Sequence, residues 1–285
     1  MGKQDIRIVP TEDRFGATVE GIDLDRDLTA AEVARLRDAL EDHLVLVARE
    51  QHVSDERIIA YCERFGVCMR PSKNPYGLTF HETLGDKMNV ISNVVENGRP
   101  IGNLGAAELA WHADVTFEEP VPIYGCLYAV AAPAHGGDTC FADMYAACRD
   151  LPDDLRRAAA GRIAIHDAAH NSAGLLRKGY EEVTDPRDTP GARHPLIRRN
   201  PRTGRMGLYL GRRGHQYVIG LNVQDSDDLL DALWAHATRP EYTMRWQWRT
   251  GDALLWNNDV TLHRRDAFDP TARRILRNVL IQAFP

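Results

Sequence analysis

His112, Asp114 and His263 offer two imidazoles and one carboxylate. Those donors can hold one face of an octahedral ion and leave the opposite face open, as in non-haem Fe(II) oxygenases. They equally suit a catalytic Zn2+ that keeps a water molecule. The first two stand one residue apart in Ala110-Trp111-His112-Ala113-Asp114-Val115-Thr116-Phe117. On a strand, alternate side chains point the same way, so the pair is expected to grip one ion from one side. His263 must then come from a strand distant in sequence. The His-x-Asp triplet carries little weight by itself. With 11 His and 41 acidic residues in 285, about one such triplet is expected by chance.

Three further segments add to it. Gly136-Gly137-Asp138-Thr139 reads as a turn into a short strand, Thr139 to Phe141. Trp256-Asn257-Asn258-Asp259-Val260-Thr261-Leu262-His263 closes a hydrophobic run. Ala272-Arg273-Arg274-Ile275-Leu276-Arg277 places Arg274 eleven residues past the last histidine and enters another apolar strand. In these motifs and their spacing the chain resembles the taurine and 2,4-dichlorophenoxyacetate dioxygenase (TauD/TfdA) family of Fe(II)/2-oxoglutarate enzymes, from about Ala17 to Gln282.

The resemblance implies that His112, Asp114 and His263 ligate Fe(II). It implies that Thr139 and Arg274 bind the distal carboxylate of 2-oxoglutarate and that Trp256 is the aromatic neighbour of the iron. A guanidinium fork meets a carboxylate through two parallel charge-assisted hydrogen bonds, which fits Arg274. The implied reaction consumes O2, takes 2-oxoglutarate to succinate and CO2, and oxidises a C–H bond of a small molecule. Asp114 favours hydroxylation over halogenation, because halogenating relatives lose that carboxylate.

The substrate is expected to be small and anionic or amino-acid-like. Taurine-oxidising members carry a second arginine four positions after the one that binds 2-oxoglutarate. Here that position is Asn278, and Arg277 precedes it. One residue along a strand turns a side chain to the other face, so Arg277 is no substitute, and taurine is not expected as substrate. The expected lining residues are His81, Asn103, Glu108, Val115, Phe117, Arg213, His215 and Asn278. Two alternatives stand beside this reading. A zinc hydrolase would use the same three ligands, but the chain has no His-Glu-x-x-His and such a site gives Thr139 and Arg274 no task. A non-catalytic jelly-roll would bind a ligand without turnover.

The elements that must position these residues are mostly short strands. Ala17 to Leu24, Leu44 to Ala48, Met88 to Val95, Pro122 to Val130, Arg162 to His166 and Ile275 to Ala283 read as strands. His194 to Leu210 reads as a hairpin, and so does Tyr242 to Trp256 around Thr250-Gly251-Asp252. Helices are expected from Ala30 to His43, from a Ser54 cap to Phe65, over Met144 to Cys148 and Asp154 to Gly161, and from a Ser226 cap to Ala237. Arg70 to Lys87, Gly102 to Glu108 and Asn171 to Arg193 read as loops, the last packing against or closing over the barrel. This pattern is expected to give a mainly β sandwich or barrel with helical cover, and the family resemblance implies a double-stranded β-helix of jelly-roll, cupin-like type, in one domain spanning 1–285.

Composition narrows the partners. A net charge of -6 argues against nucleic acid held by phosphate contacts. The basic pairs, Arg264-Arg265 among them, read mostly as solvated faces. No run reaches the roughly eighteen apolar residues of a membrane span. Met1 to Asp5 shows no apolar signal core, so a cytoplasmic protein is expected. Five cysteines without a Cys-x-x-Cys are expected to be buried thiols. The partner is therefore a small molecule, with homo-oligomerisation left open.

Overall fold

The computed structural model describes residues 5–71 and 87–285. Among them, two sheets stack face to face. The larger has nine strands and runs Arg7–Pro10, Ala17–Glu20, Val45–Ala48, Ala253–Asn257, Tyr124–Ala131, Ile275–Gln282, Asn89–Ser92, Asn103–Leu104, with Val67–Cys68 also paired to Ile275–Gln282. The smaller runs Thr243–Trp246, Thr139–Asp143, Thr261–Arg265, Leu109–His112. Its pairings are all antiparallel.

Period-two alternation decides which side chains enter the space between the sheets. Val45 and Val47, Leu127, Leu254 and Trp256, and Leu276 leave the larger sheet on one face and meet Phe141, Met244 and Trp246 of the smaller. Their neighbours Leu46 and Ala48, Cys126 and Tyr128, Leu255, Val279 and Ile281 point the other way, into a second core. Two helices cover that second face. Ala30–His43 buries Val33, Leu36, Ala39 and Leu40, one stripe at helical spacing. Its start is a reciprocal capping box between Thr29 and Glu32, and it ends where Leu44 turns to φ 64°. Asp55–Cys62, capped by Ser54, buries Ile58 and Cys62. Further helices, Met144–Arg149 and Val223–Ala237, pack beneath the smaller sheet against Ala142 and Leu262.

Three expectations need correction. The long helix at Val223–Ala237 is capped by Asn222, whose side chain accepts from the Asp225 N–H. Ser226 lies a turn inside, its hydroxyl taken by the Val218 N–H at 2.8 Å. Thr243–Trp246 and Ala253–Asn257 are not a hairpin, because they pair in different sheets. The chain crosses over at Gly251, φ 86°, and the buried Asp252 carboxylate fixes the crossing. It accepts from Arg49 at 2.7 Å, from the Arg249 N–H at 2.9 Å and from the Trp246 indole at 3.2 Å. The loop after Gly102 contains a two-residue strand, Asn103–Leu104, which runs parallel to Asn89–Ser92. All five cysteines are buried free thiols, as expected. Among the described residues no helix is long and apolar enough to cross a membrane.

The capping box makes a stability prediction. Thr29→Ala removes the hydroxyl that accepts from the Glu32 N–H. Urea unfolding should show about 1 kcal/mol lost, with the slope of the transition unchanged.

Candidate active site

The smaller sheet brings the expected ligands together by register. His263, mid-strand, is the direct cross-strand partner of His112, and their rings stand 4.2 Å apart. The strand carrying His112 ends there, so Asp114 is not its strand-face neighbour. Asp114 instead lies in a turn, and Val115 behind it takes φ 51°. Asn258 holds that turn from both sides. Its Oδ1 accepts the Asp114 N–H at 2.9 Å, and its Nδ2 donates to the Asp114 carbonyl at 2.9 Å. The carboxylate is thereby swung back toward the imidazoles. One oxygen lies 3.5 Å from His112 Nε2 and the other 3.8 Å from His263 Nε2. These separations exceed a normal hydrogen bond, and the three groups offer ligand atoms all within 4.8 Å of one another.

The donor set fits a divalent ion. His112 Nδ1 lies 2.7 Å from the Ala110 carbonyl, so that nitrogen carries the proton and Nε2 presents its lone pair. Burial draws the His263 pKa down to about 3, leaving a neutral imidazole. Burial opposes the Asp114 carboxylate, but His263, His112 and Arg212 outweigh it, and its pKa falls to about 2. Neutral imidazole and ionised carboxylate are the forms a metal requires. Trp256, fully buried, sits edge-on 5.3 Å from the His263 ring and does not border the cavity. It supports the histidine from behind, and Gly125 makes room for it: a Cβ there would stand 2.1 Å from the indole.

Beside the triad a cavity opens between the sheets. Thr139 and Arg274 line it with Leu127, Leu276, Asn278 and Leu280. Thr139 Oγ1 accepts from the Trp248 indole at 2.9 Å, which leaves its hydroxyl hydrogen for a ligand. Arg274 is 2 % exposed, and its Nε meets no acceptor among the described residues. Burial and the neighbouring Arg265 push its pKa down to about 9. Gly137, φ 69°, lets the backbone approach this side chain: a Cβ there would lie 3.1 Å from Arg274 Nε.

The expected substrate-lining residues divide. Asn103, Val115 and Asn278 border the cavity. Asn278 shares the inward face with Leu276 and Leu280, while Arg277 points away and pairs with Asp55 at 2.8 Å, as alternation required. Glu108, Phe117, Arg213 and His215 do not border it. Glu108 reaches outward to Arg264 at 3.1 Å. Arg213 is held by Asp227 and Asp231 beside a different cleft. His215 stacks on His170 at 3.8 Å. Phe117 is buried under the Arg177 guanidinium at 4.3 Å. His81 lies outside the described residues.

Some functional candidates escaped the sequence reading. Asn258 stood in plain view as a polar residue inside a buried run. Arg265 is 4 % exposed rather than part of a solvated face, and burial pulls its pKa down to about 10. Its signal was its place two residues after His263. From the Asn171–Arg193 excursion, Asn171, Ser172 and Arg177 reach the cavity wall. Arg212 fastens that excursion, donating to the carbonyls of His170 at 2.5 Å and Asn171 at 2.6 Å.

Comparison with known proteins agrees with this geometry. The family described as "Taurine catabolism dioxygenase TauD, TfdA family" matches residues 7–280, and the chain belongs to that family. It is 34% identical over 285 residues to pentalenolactone F synthase of Streptomyces arenae, covering 93% of this chain and 91% of the relative. It is 35% identical over 284 residues to the alpha-ketoglutarate-dependent 2,4-dichlorophenoxyacetate dioxygenase of Cupriavidus pinatubonensis, covering 94% of each. Among solved structures, AAD-2 in complex with Mn(II) and N-oxalylglycine superposes with a TM-score of 0.81 at 27% identity, covering 98% of both chains. The protein is a 2-oxoglutarate-dependent dioxygenase that uses Fe(II), 2-oxoglutarate and O2. The zinc-hydrolase and non-catalytic alternatives fall away with that membership.

The Asn258 clamp is testable. Asn258→Ala should lower affinity for Mn(II), a redox-inert stand-in, by roughly 10–100-fold with secondary structure retained. Unchanged affinity in a calorimetric titration would mean that the Asp114 turn holds itself.

Proposed function

We propose that His112, Asp114 and His263 hold the catalytic Fe(II), and that Thr139 and Arg274 receive the distal carboxylate of 2-oxoglutarate. The enzyme then hydroxylates a C–H bond of a small oxyanion with an apolar body, a carboxylate before a sulfonate. The observation that carries the assignment is the convergence on one cavity of three metal-type donors and a buried guanidinium with an unpaired N–H. In the same reading the two facing sheets are the halves of a double-stranded β-helix, in one domain.

Iron with 2-oxoglutarate would supply the oxidation, releasing succinate and CO2. The chain's residues do the placing. Arg274 and Thr139 orient the co-substrate from its far end. Leu109, Val115, Leu127 and Leu276 give the substrate an apolar wall and limit water at the reacting carbon.

The charge of the substrate is read from the Asn171–Arg193 excursion. Asn278 leaves the strand after Arg274 without a second cation. Arg177 faces the cavity from the excursion, with Nε donating to the His170 carbonyl at 3.2 Å. Among the described residues no carboxylate lies within 4 Å of it. A substrate anion would take its remaining donors. Relatives named for 2,4-dichlorophenoxyacetate and for phenoxypropionate support a carboxylate with an aromatic or apolar body.

Succinate release measured over a panel of aryloxyalkanoates, cyclic terpenoid acids, alkyl sulfates and taurine tests this. Carboxylates should stimulate turnover and taurine should not. Arg177→Leu should raise KM for the active acid by about 10–100-fold, the loss of a charged hydrogen bond, with 2-oxoglutarate affinity unchanged. Equal turnover with taurine, or an indifferent Arg177→Leu, contradicts the substrate assignment.

A further inference from the structure

Arg265 follows His263 by two residues on the strand Thr261–Arg265, so both side chains leave on the same face. Across the ladder Arg265 is the direct partner of Thr139. Side chains placed so start with Cβ atoms about 4.5–5.5 Å apart. Arg265, Thr139 and Arg274 line the same cavity.

Arg265 is only partly satisfied by protein. Its Nη2 donates to the Leu104 carbonyl at 2.9 Å and to the Ala107 carbonyl. Its Nε and Nη1 are buried and meet no acceptor among the described residues, and Arg274 Nε is in the same position. Among those residues no carboxylate comes within 4 Å of either guanidinium, and Asp138 directs one oxygen to Arg245 at 3.5 Å. Two cations buried beside one cavity repel each other, and their unpaired N–H groups carry a desolvation cost that only an acceptor removes. An oxyanion between them answers both. A hydroxyl, Thr139, is already placed beside them.

We propose that Arg265 is a second guanidinium for the distal carboxylate of 2-oxoglutarate, acting with Arg274 and Thr139; this rests on the assignment of those two residues to that carboxylate. The site would then select strongly for a 2-oxo acid with a charged far end. Arg265 binds the co-substrate and also tethers the Leu104–Ala107 loop, which borders the cavity through Leu104.

The experiment compares two probes on the full-length, Mn(II)-loaded protein by calorimetry: 2-oxoglutarate, and 2-oxovalerate, which has a methyl group in place of the distal carboxylate. Arg265→Gln should weaken 2-oxoglutarate about 10–100-fold and leave 2-oxovalerate within twofold. Arg265→Lys, a point charge in place of a fork, should fall between and serves if the glutamine variant does not fold. Equal weakening of both probes would reduce Arg265 to a loop tether and overturn the proposal. So would unchanged binding of both. Arg274→Gln separates the levels. If it weakens 2-oxoglutarate while Arg265→Gln does not, only this proposal fails. If Arg274→Gln has no effect, the underlying site assignment fails with it.

Discussion

Slipping the strand Thr261–Arg265 by one residue against its neighbours would turn His263 and Arg265 out of the interior together. In the observed register His263 faces His112 on one side and Phe141 on the other, while Arg265 faces Thr139. The proposed metal end and the proposed co-substrate end of the cavity are thus set by one pair of ladders. The burial of the surrounding core keeps that register. Phe141 and Trp256 pack between the sheets, and each ring touches His263. The stability of the sandwich and the aim of the imidazole are therefore the same interaction. The third proposed ligand is held differently. Asp114 hangs on a turn beyond the strand end, and Asn258 fixes its backbone through two hydrogen bonds to the strand-linking turn before Thr261.

Charge organises the rest of the cavity. Arg265 and Arg274 line it, buried, with unpaired donors. Arg177, which leans over Phe117, lines it from the excursion. The triad, a band of leucines and the Asn103 and Asn278 carboxamides share the same wall. The proposed function would place two small anions in this chamber, one bound through its far end and one through a substrate oxyanion. Water displaced from the apolar band strengthens both interactions.

Much of this was legible in the chain. The helix Ala30–His43 was legible because its apolar stripe, Val33, Leu36 and Leu40, is a local signal. Alternation correctly sent Arg277 outward and Asn278 inward, because both lie in an unbroken strand. What failed depended on partners outside the element itself. Thr243–Trp246 and Ala253–Asn257 look like a hairpin until the sheet each one joins is known. Ser226 has the composition of a cap, but Val218 claims its hydroxyl. Asp114 leaves the strand because a distant asparagine holds its turn. Arg265 sits next to a half-exposed arginine, and its burial follows from the loop at 104–107 folding over it. Glu108, four residues before His112, and Arg213 are instead held by charged partners and do not border the cavity.

The most direct test of the site is an anaerobic titration of the purified protein with Fe(II) and then 2-oxoglutarate, followed by visible absorption. A weak band in the green should appear only when both are present, reporting 2-oxoglutarate chelated to iron. It should be missing from His112→Ala at the same concentrations while the fold, checked by circular dichroism, is retained. A band of equal intensity in His112→Ala, or none in the unaltered protein with both present, would contradict the assignment of His112, Asp114 and His263 as the iron site.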